Sequence, residues 1–250
     1  MTDIGALVLT YNEEDNIREC LDSLEGVKRV VLVDSGSEDK TAEIARELGA
    51  DVYHRELDDF SRQRNFGLDK LDTDWVLVVD ADERVTSELW QEIRETLASP
   101  GCDAYRIPRR NYFLGKWIKH CGWYPDYTLR LFRNRELRFR GKVHEKIVFQ
   151  GKTGTLENPL LHYTYESIGE YVSKMNHYTD LMAREKAEKA ENIGLAYVIF
   201  RPVFELLKKL ILQKGFLLGS QGLILSILSS YYKFLEYIKL WEKQNNIDGG

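Results

Sequence analysis

Apolar blocks and helical spacings alternate over the first hundred residues. The blocks lie at 6–10, 29–34, 50–53 and 75–79, and the amphipathic stretches between and after them at 14–24, 39–48, 61–71 and 87–97. Short strands separated by helices in this way are the βαβ signature of a parallel sheet. Thr86 stands where the last of these helices needs an N-cap. After Pro100 the chain turns to short segments rich in aromatics and arginine. One of them, Tyr127-Thr128-Leu129-Arg130-Leu131-Phe132-Arg133, alternates like a half-buried strand, so 101–160 is expected to complete a mixed sheet. From Ser167 the pattern is helical, with a charged stretch at 184–191 and two apolar-rich helices split near Lys214-Gly215; Gly194 and Pro202 punctuate it. The expected organisation is a catalytic domain over 1–165, with a nucleotide-binding half 1–100 and an acceptor-binding half 101–165. A C-terminal helical region, 166–250, follows.

Composition narrows the class. The 250 residues are 43% apolar and 30% charged, which excludes a disordered chain and allows one large domain with a helical appendage. The start, Met1-Thr2-Asp3-Ile4-Gly5, lacks the basic-then-apolar pattern of a secretory signal, so a cytoplasmic protein is expected. Cys20, Cys102 and Cys121 are far apart and form no Cys-x-x-Cys pair, which supports neither a disulfide framework nor a thiolate metal site. The longest uncharged stretch, 215–232, holds Ser, Gly and Gln and falls short of the roughly 20 apolar residues of a spanning helix. It reads as amphipathic and peripheral.

The chemistry gathers where strands end. Ligands of open α/β sheets bind beyond the carboxyl ends of the strands. The polar residues there are Thr10-Tyr11-Asn12-Glu13, Asp34-Ser35-Gly36-Ser37 and Asp80-Ala81-Asp82-Glu83. Asp80 and Asp82, two carboxylates at i and i+2 after an apolar strand, can hold a hard cation, Mn2+ or Mg2+, that neutralises a diphosphate leaving group. Two acids in a turn are also commonly just solvated. Asp34 can accept from a base imide or a ribose hydroxyl, or cap the next helix. Arg64 can fork onto a diphosphate, or lie on the surface. The acidic loop after the first strand excludes the Gly-x-Gly-x-x-Gly turn of a nicotinamide dehydrogenase.

Four motifs in order, Val8-Leu9-Thr10-Tyr11-Asn12-Glu13-Glu14, Val33-Asp34-Ser35-Gly36-Ser37-Glu38-Asp39-Lys40-Thr41, Arg64-Asn65-Phe66-Gly67 and Asp80-Ala81-Asp82-Glu83, make the chain resemble glycosyltransferase family 2. The resemblance implies an α/β GT-A fold, a Rossmann-like mixed sheet flanked by helices, here with a C-terminal helical extension. It also implies a UDP-sugar donor. By it, Thr10, Tyr11 and Glu13 line the nucleotide pocket, Asp34 binds base or ribose, Arg64 supports the diphosphate, and Asp80 and Asp82 serve the metal. The second half is similar to bacterial transferases that add glucose or a related sugar to the lipopolysaccharide inner core. The shared runs are Trp123-Tyr124-Pro125-Asp126, Leu129-Arg130-Leu131-Phe132-Arg133 and Gly141-Lys142-Val143-His144-Glu145, with Lys214-Gly215-Phe216 and Lys239-Leu240-Trp241-Glu242 in the tail. The Glu-Asp pair and Gln-x-x-Arg-Trp run of processive synthases are absent, which implies addition of a single sugar.

Inverting transfer needs a general base, and Glu145, ahead of Asp126, is the candidate; each carboxylate can instead be a structural salt-bridge partner. His144 is a candidate third metal ligand or a histidine satisfied by backbone. Although the chain carries a net charge of −5, residues 106–142 hold eleven Lys or Arg against Asp126 and Glu136 alone. With aromatics interleaved, that segment suits an acidic or phosphorylated saccharide, and Arg109, Trp123, Tyr124 and Arg130 are the candidate acceptor contacts. The acidic whole chain speaks against nucleic acid. An apolar helix around 198–211 with Arg201, Lys208, Lys209 and Lys214 fits a membrane interface, packing on the domain, or a homo-oligomer. Competing readings are transfer to a polyprenyl phosphate and a non-catalytic nucleotide-sugar-binding scaffold.

Overall fold

In the computed structural model the four early apolar blocks are strands β1 (Ile4–Thr10), β2 (Arg29–Asp34), β3 (Asp51–His54) and β4 (Trp75–Asp80). They lie parallel in the order β3-β2-β1-β4, with Thr10 level with Asp34 and Leu9 level with Asp80. Residues 3–56, 58–134, 137–140, 146–189 and 193–245 are described. They fall into two compact units, one of 1–110 with 126–162 and one of 111–125 with 163–250.

Between the strands of the first unit run α1 (Ile17–Asp22), α2 (Thr41–Glu47) and α3 (Phe60–Leu68), and α4 (Ser87–Ala98) follows. Thr86 caps α4 as expected, accepting from the Leu89 N–H. Consecutive apolar residues of β1, β2 and β4 feed two cores. Ala6, Val8, Leu32, Leu77 and Val79 pack with Ile17 of α1 and Leu89 and Ile93 of α4, whereas Leu7, Val31, Val33, Val76 and Val78 pack with Leu68 of α3 and with Phe132. Both faces are covered, so these strands are apolar throughout instead of alternating. Gly67 lets α3 lie close on the sheet: a Cβ there would stand 2.2 Å from Leu7 Cδ1.

The sheet becomes mixed at β8 (Asp126–Arg133), antiparallel to β4 and to β6 (Ala104–Phe113). Arg130, Leu131 and Phe132 are buried in succession, because β8 is an inner strand and not a half-buried one. β5 (Glu83–Val85) pairs with β12 (Leu160–Tyr165), β11 (Thr153–Thr155) with β6, and β9 (Arg138–Arg140) with β10 (Lys146–Val148). This is the mixed, helix-flanked α/β sheet of the GT-A expectation.

The second unit holds β7 (Lys116–Trp117), paired with the end of β6, and three helices, α5 (Ile168–Glu188), α6 (Leu195–Leu207) and α7 (Ser220–Gln244). α6 runs on as a π-helical turn, Lys208–Leu212, and a 3-10 turn, Gly215–Leu218, precedes α7. Phe113, Ile118, Tyr171, Met175, Leu218 and Leu225 form its core. The segment 111–125, expected within the acceptor-binding half 101–165, lies in this unit. No helix among the described residues is long and apolar enough to cross a membrane.

Candidate active site

β1, β2 and β4 run in parallel register, so their last residues open at one edge of the sheet. Asp34 closes its own loop. Its Oδ2 accepts from the N–H groups of Gly36 (3.1 Å) and Ser37 (3.0 Å), and its Oδ1 accepts from Ser37 Oγ (2.5 Å) and Thr10 Oγ1 (3.2 Å). The position ahead of α2 belongs to Lys40, so Asp34 is not that helix's cap. The loops after β1 and β2 are tied to each other. Asn12 N–H donates to Ser37 Oγ, Glu13 N–H to Thr41 Oγ1 and Glu14 N–H to Asp39, while Glu38 and Lys40 N–H groups donate back to Asn12 and Glu14. Asn12 turns the first loop with φ +53°, a left-handed conformation that Asn tolerates better than most residues. Tyr11 is left 57% exposed, free to meet a flat ligand.

Asp80, at the end of β4, accepts from Arg64 Nη2 on Oδ1 (3.2 Å) and from Arg130 Nη2 on Oδ2 (2.5 Å). Burial acts to raise its pKa, but the two guanidiniums win and hold the carboxyl well below the usual range. The same Arg130 nitrogen donates to Glu83 Oε1 at 2.6 Å. Glu83 is fully buried, receives Arg109 Nη1 at 3.4 Å, and accepts the Asp80 N–H on its other oxygen. Arg109 in turn donates to Asp126 Oδ2 through Nε (2.9 Å) and Nη2 (2.5 Å). Three arginines and three carboxylates thus form one chain, Arg64–Asp80–Arg130–Glu83–Arg109–Asp126. Burial disfavours charge on Arg130, yet Asp80 and Glu83 raise its pKa further.

Arg64, Asp80, Arg109 and Arg130 line a cavity of about 280 Å³ with Thr128 and the apolar Val78, Leu129, Phe139 and Ile147. Arg64 lies with its guanidinium 5.5 Å from the Phe139 ring centre, and its neighbour Asn65 fixes β9 by exchanging hydrogen bonds with the Phe139 backbone. Arg84 braces the 80–83 turn, donating to the Ala81 and Glu83 carbonyls, to Asn16 and to Glu19. Cys20 is no nucleophile: burial pushes its thiol far up.

Asp82 is placed differently from Asp80. Its Oδ2 stands 3.2 Å from Nε2 of His162, which β12 brings beside β5. Their side chains are 18% and 12% exposed, so the pair is accessible but sheltered. Among the described residues no group of three or more His, Cys, Asp or Glu is arranged to hold a metal ion by itself. The Asp82 carboxylate suits an ion such as Mn2+ or Mg2+ that completes its shell with water and substrate phosphate, and the imidazole beside it favours Mn2+ over the oxygen-seeking Mg2+.

Thr10, Asp34, Arg64, Asp80, Arg109, Asp126 and Arg130 are thus drawn into one connected region. Arg130, expected to meet an acceptor, is buried between Asp80 and Glu83. Trp123 and Tyr124 belong to the second unit, where they pack edge-on against Phe113 and Trp117. Glu145 and His144 lie outside the described residues. His162 and the linking role of Glu83 were not foreseen. His162 is 80 positions from Asp82 with no local motif, but Glu83 carried a signal: an acid so close to the end of a buried strand, once buried, needs a cation or hydrogen-bond donors.

The family profile described as Glycosyl transferase family 2 matches residues 6–155. The chain is 29% identical over 255 residues to the lipopolysaccharide core biosynthesis glycosyltransferase LpsC of Rhizobium meliloti, covering 96% of this chain and 92% of that one. It is 28% identical over 256 residues to an uncharacterised glycosyltransferase of Rickettsia typhi, covering 97% and 88%. Among solved structures, glucosyl-3-phosphoglycerate synthase of Mycobacterium tuberculosis, in complex with Mn2+, UDP and phosphoglyceric acid, aligns over 44% of each chain with 23% identity and a TM-score of 0.39. The matched 6–155 is more than half of the 250 residues and takes in all three strand-end loops and the whole lining of the cavity. The chain is a glycosyltransferase and belongs to glycosyl transferase family 2.

Proposed function

We propose that this enzyme is metal-dependent and inverting, and that it moves one hexose from a UDP-sugar to a saccharide acceptor of the lipopolysaccharide-core kind. The observation that carries the reading is the pairing of Asp82 with His162 beside an arginine-rich cavity at the ends of β1, β2 and β4. The likeness to LpsC over almost the entire chain supports the acceptor class.

Thr10, Tyr11, Glu13 and Asp34 take the nucleoside, with Asp34 held rigid by its own loop so that its carboxylate meets base or ribose without reorganising. Arg64 faces the diphosphate. Asp80, both of whose oxygens accept from arginine, positions Arg64 and Arg130 and leaves metal ligation to Asp82 and His162. A divalent ion held there supplies charge for the departing UDP.

Attack in line on the anomeric carbon needs a base opposite the leaving group. Asp126, at the first position of β8, takes that role in this reading, its carboxylate oriented by Arg109 through Nε and Nη2, and Glu145, outside the described residues, is the alternative. The engagement of the Asp126 carboxylate with Arg109 favours, as a second reading, an acceptor that is already an anion and needs no base, such as a polyprenyl phosphate.

The test is UDP release across a panel of UDP-sugars with Mn2+ or Mg2+, for the wild type, Asp82→Ala, Asp126→Asn and Glu145→Gln. Metal-dependent release lost in Asp82→Ala supports the donor site. Transfer lost in Asp126→Asn with Glu145→Gln active supports Asp126, the converse moves the base to Glu145, and transfer retained in both favours the anionic acceptor. No release and no metal-enhanced UDP binding would sink the proposal in favour of a binding scaffold.

A further inference from the structure

The second unit leaves an unusual amount of apolar surface in water. Of its α6 residues, Leu195, Ile199, Phe200 and Val203 are each more than half exposed, and only Val198, Pro202 and Glu205 of that helix are buried. The π-helical turn adds Ile211 and Leu212, the latter 71% exposed, and the 3-10 turn and the outer side of α7 carry the surface further. A groove of about 360 Å³ between α6 and α7, lined by Pro202, Leu206, Ile227 and Phe234 among others, opens into it. Isolated exposed apolar residues need no account, but a contiguous patch of this extent marks a surface that something covers.

Charge identifies the occupant. The chain as a whole is −5, yet between 193 and 236 it has Arg201, Lys208, Lys209, Lys214 and Lys233 against Glu205 and Glu236, five positive and two negative, or +3; Glu236 is fully buried and paired with Lys233, and Lys209 donates to the Cys121 carbonyl. Glu205 itself is buried and paired with Lys208. Two copies of such a surface would bring like charges together across an isologous contact. An anionic lipid surface answers both properties, because it buries apolar side chains and attracts the lysines around them. No helix of the described residues is long and apolar enough to cross the bilayer, so α6 lies in its plane.

We infer that α6, the turns after it and the outer side of α7 form an in-plane anchor for anionic membranes. The acyl region takes Phe200, Val203 and Leu212, and Lys214, at the exposed bend before α7, meets headgroup phosphates. This goes beyond the transferase reading and does not depend on it.

The experiment is flotation of the full chain with vesicles of phosphatidylcholine alone and of phosphatidylcholine containing phosphatidylglycerol. Light scattering after size exclusion gives the oligomeric state. The chain should float with the anionic vesicles only, and less so as salt rises. Phe200→Glu/Leu212→Glu, on sites open to water and so neutral to folding, should abolish flotation at an unchanged melting temperature. Lys214→Glu should weaken it roughly tenfold, since each interfacial lysine adds a several-fold preference. Failure to float with anionic vesicles, flotation that survives the double substitution, or a dimer that the double substitution dissociates would each overturn the inference.

Discussion

Arg130→Met tests whether the chain of arginines and carboxylates holds the first unit together. One Arg130 nitrogen serves Asp80 at 2.5 Å and Glu83 at 2.6 Å, and Glu83 has no exposed surface. Removing one partner of a buried pair generally costs about 3–5 kcal/mol, because the charge left behind is neither hydrated nor compensated. Arg109 stays 3.4 Å from Glu83 and Arg64 stays 3.2 Å from Asp80, which puts the expected cost at the low end, about 3 kcal/mol. For a chain of this size that is a fall in melting temperature of roughly 6–12 °C. Calorimetry is the suitable assay, because two units can melt separately and the fall belongs to the one that carries Arg130. Adding Glu83→Gln removes the stranded charge, so the double variant should lose clearly less than the sum of the two singles. Acid reports on the same contacts. The Asp80 pKa is depressed in the fold, so its contribution is present above the unfolded value and is lost as pH falls below about 4. Arg130→Met should flatten that loss. A shift under roughly 2 °C, or strict additivity with Glu83→Gln, would refute the account.

Asp34→Ala deletes the acceptor of four hydrogen bonds, and calorimetric titration should show UDP binding weakened roughly 10- to 100-fold, in line with contacts to a charged group. His162→Ala should raise the Mn2+ concentration needed with UDP at least roughly tenfold, read from the free-ion electron paramagnetic resonance signal, while leaving the melting temperature nearly unchanged. Gly67→Ala would put a methyl 2.2 Å from Leu7 Cδ1 and 3.0 Å from Val33 Cγ2. Urea titration should find it destabilised by about 1–3 kcal/mol, and UDP should bind more weakly because Arg64 sits on the displaced helix.

The parallel half was legible because its information is local. Apolar runs such as 29–34 and 75–80 can only be buried strands when polar loops and helical spacings alternate with them, and parallel strands set their last residues at one edge. That places Thr10, Asp34 and Asp80 together from the sequence alone. Arg130 was legible as a residue of interest but not in its surroundings: the alternation around it suited a strand with one wet face, while β4 and β6 on either side enclose it. His162 depended on an antiparallel pairing of β12 with β5, which no spacing along the chain encodes. The exposed side of α6 was ambiguous for a different reason, since an apolar stripe states that a surface wants covering and not by what.

The stitching of the first two loops bears on inheritance and redesign. Residues 12–14 and 37–41 exchange five hydrogen bonds, each from the backbone of one loop to a side chain of the other. Neither segment keeps its shape if the other is replaced, so they behave as one heritable cassette that happens to be split by a helix and a strand. A graft meant to alter donor preference would have to carry both pieces. Transplanting the first alone would take away the N–H groups of Asn12 and Glu13 that donate to Ser37 and Thr41, and slacken the turn that aims Asp34.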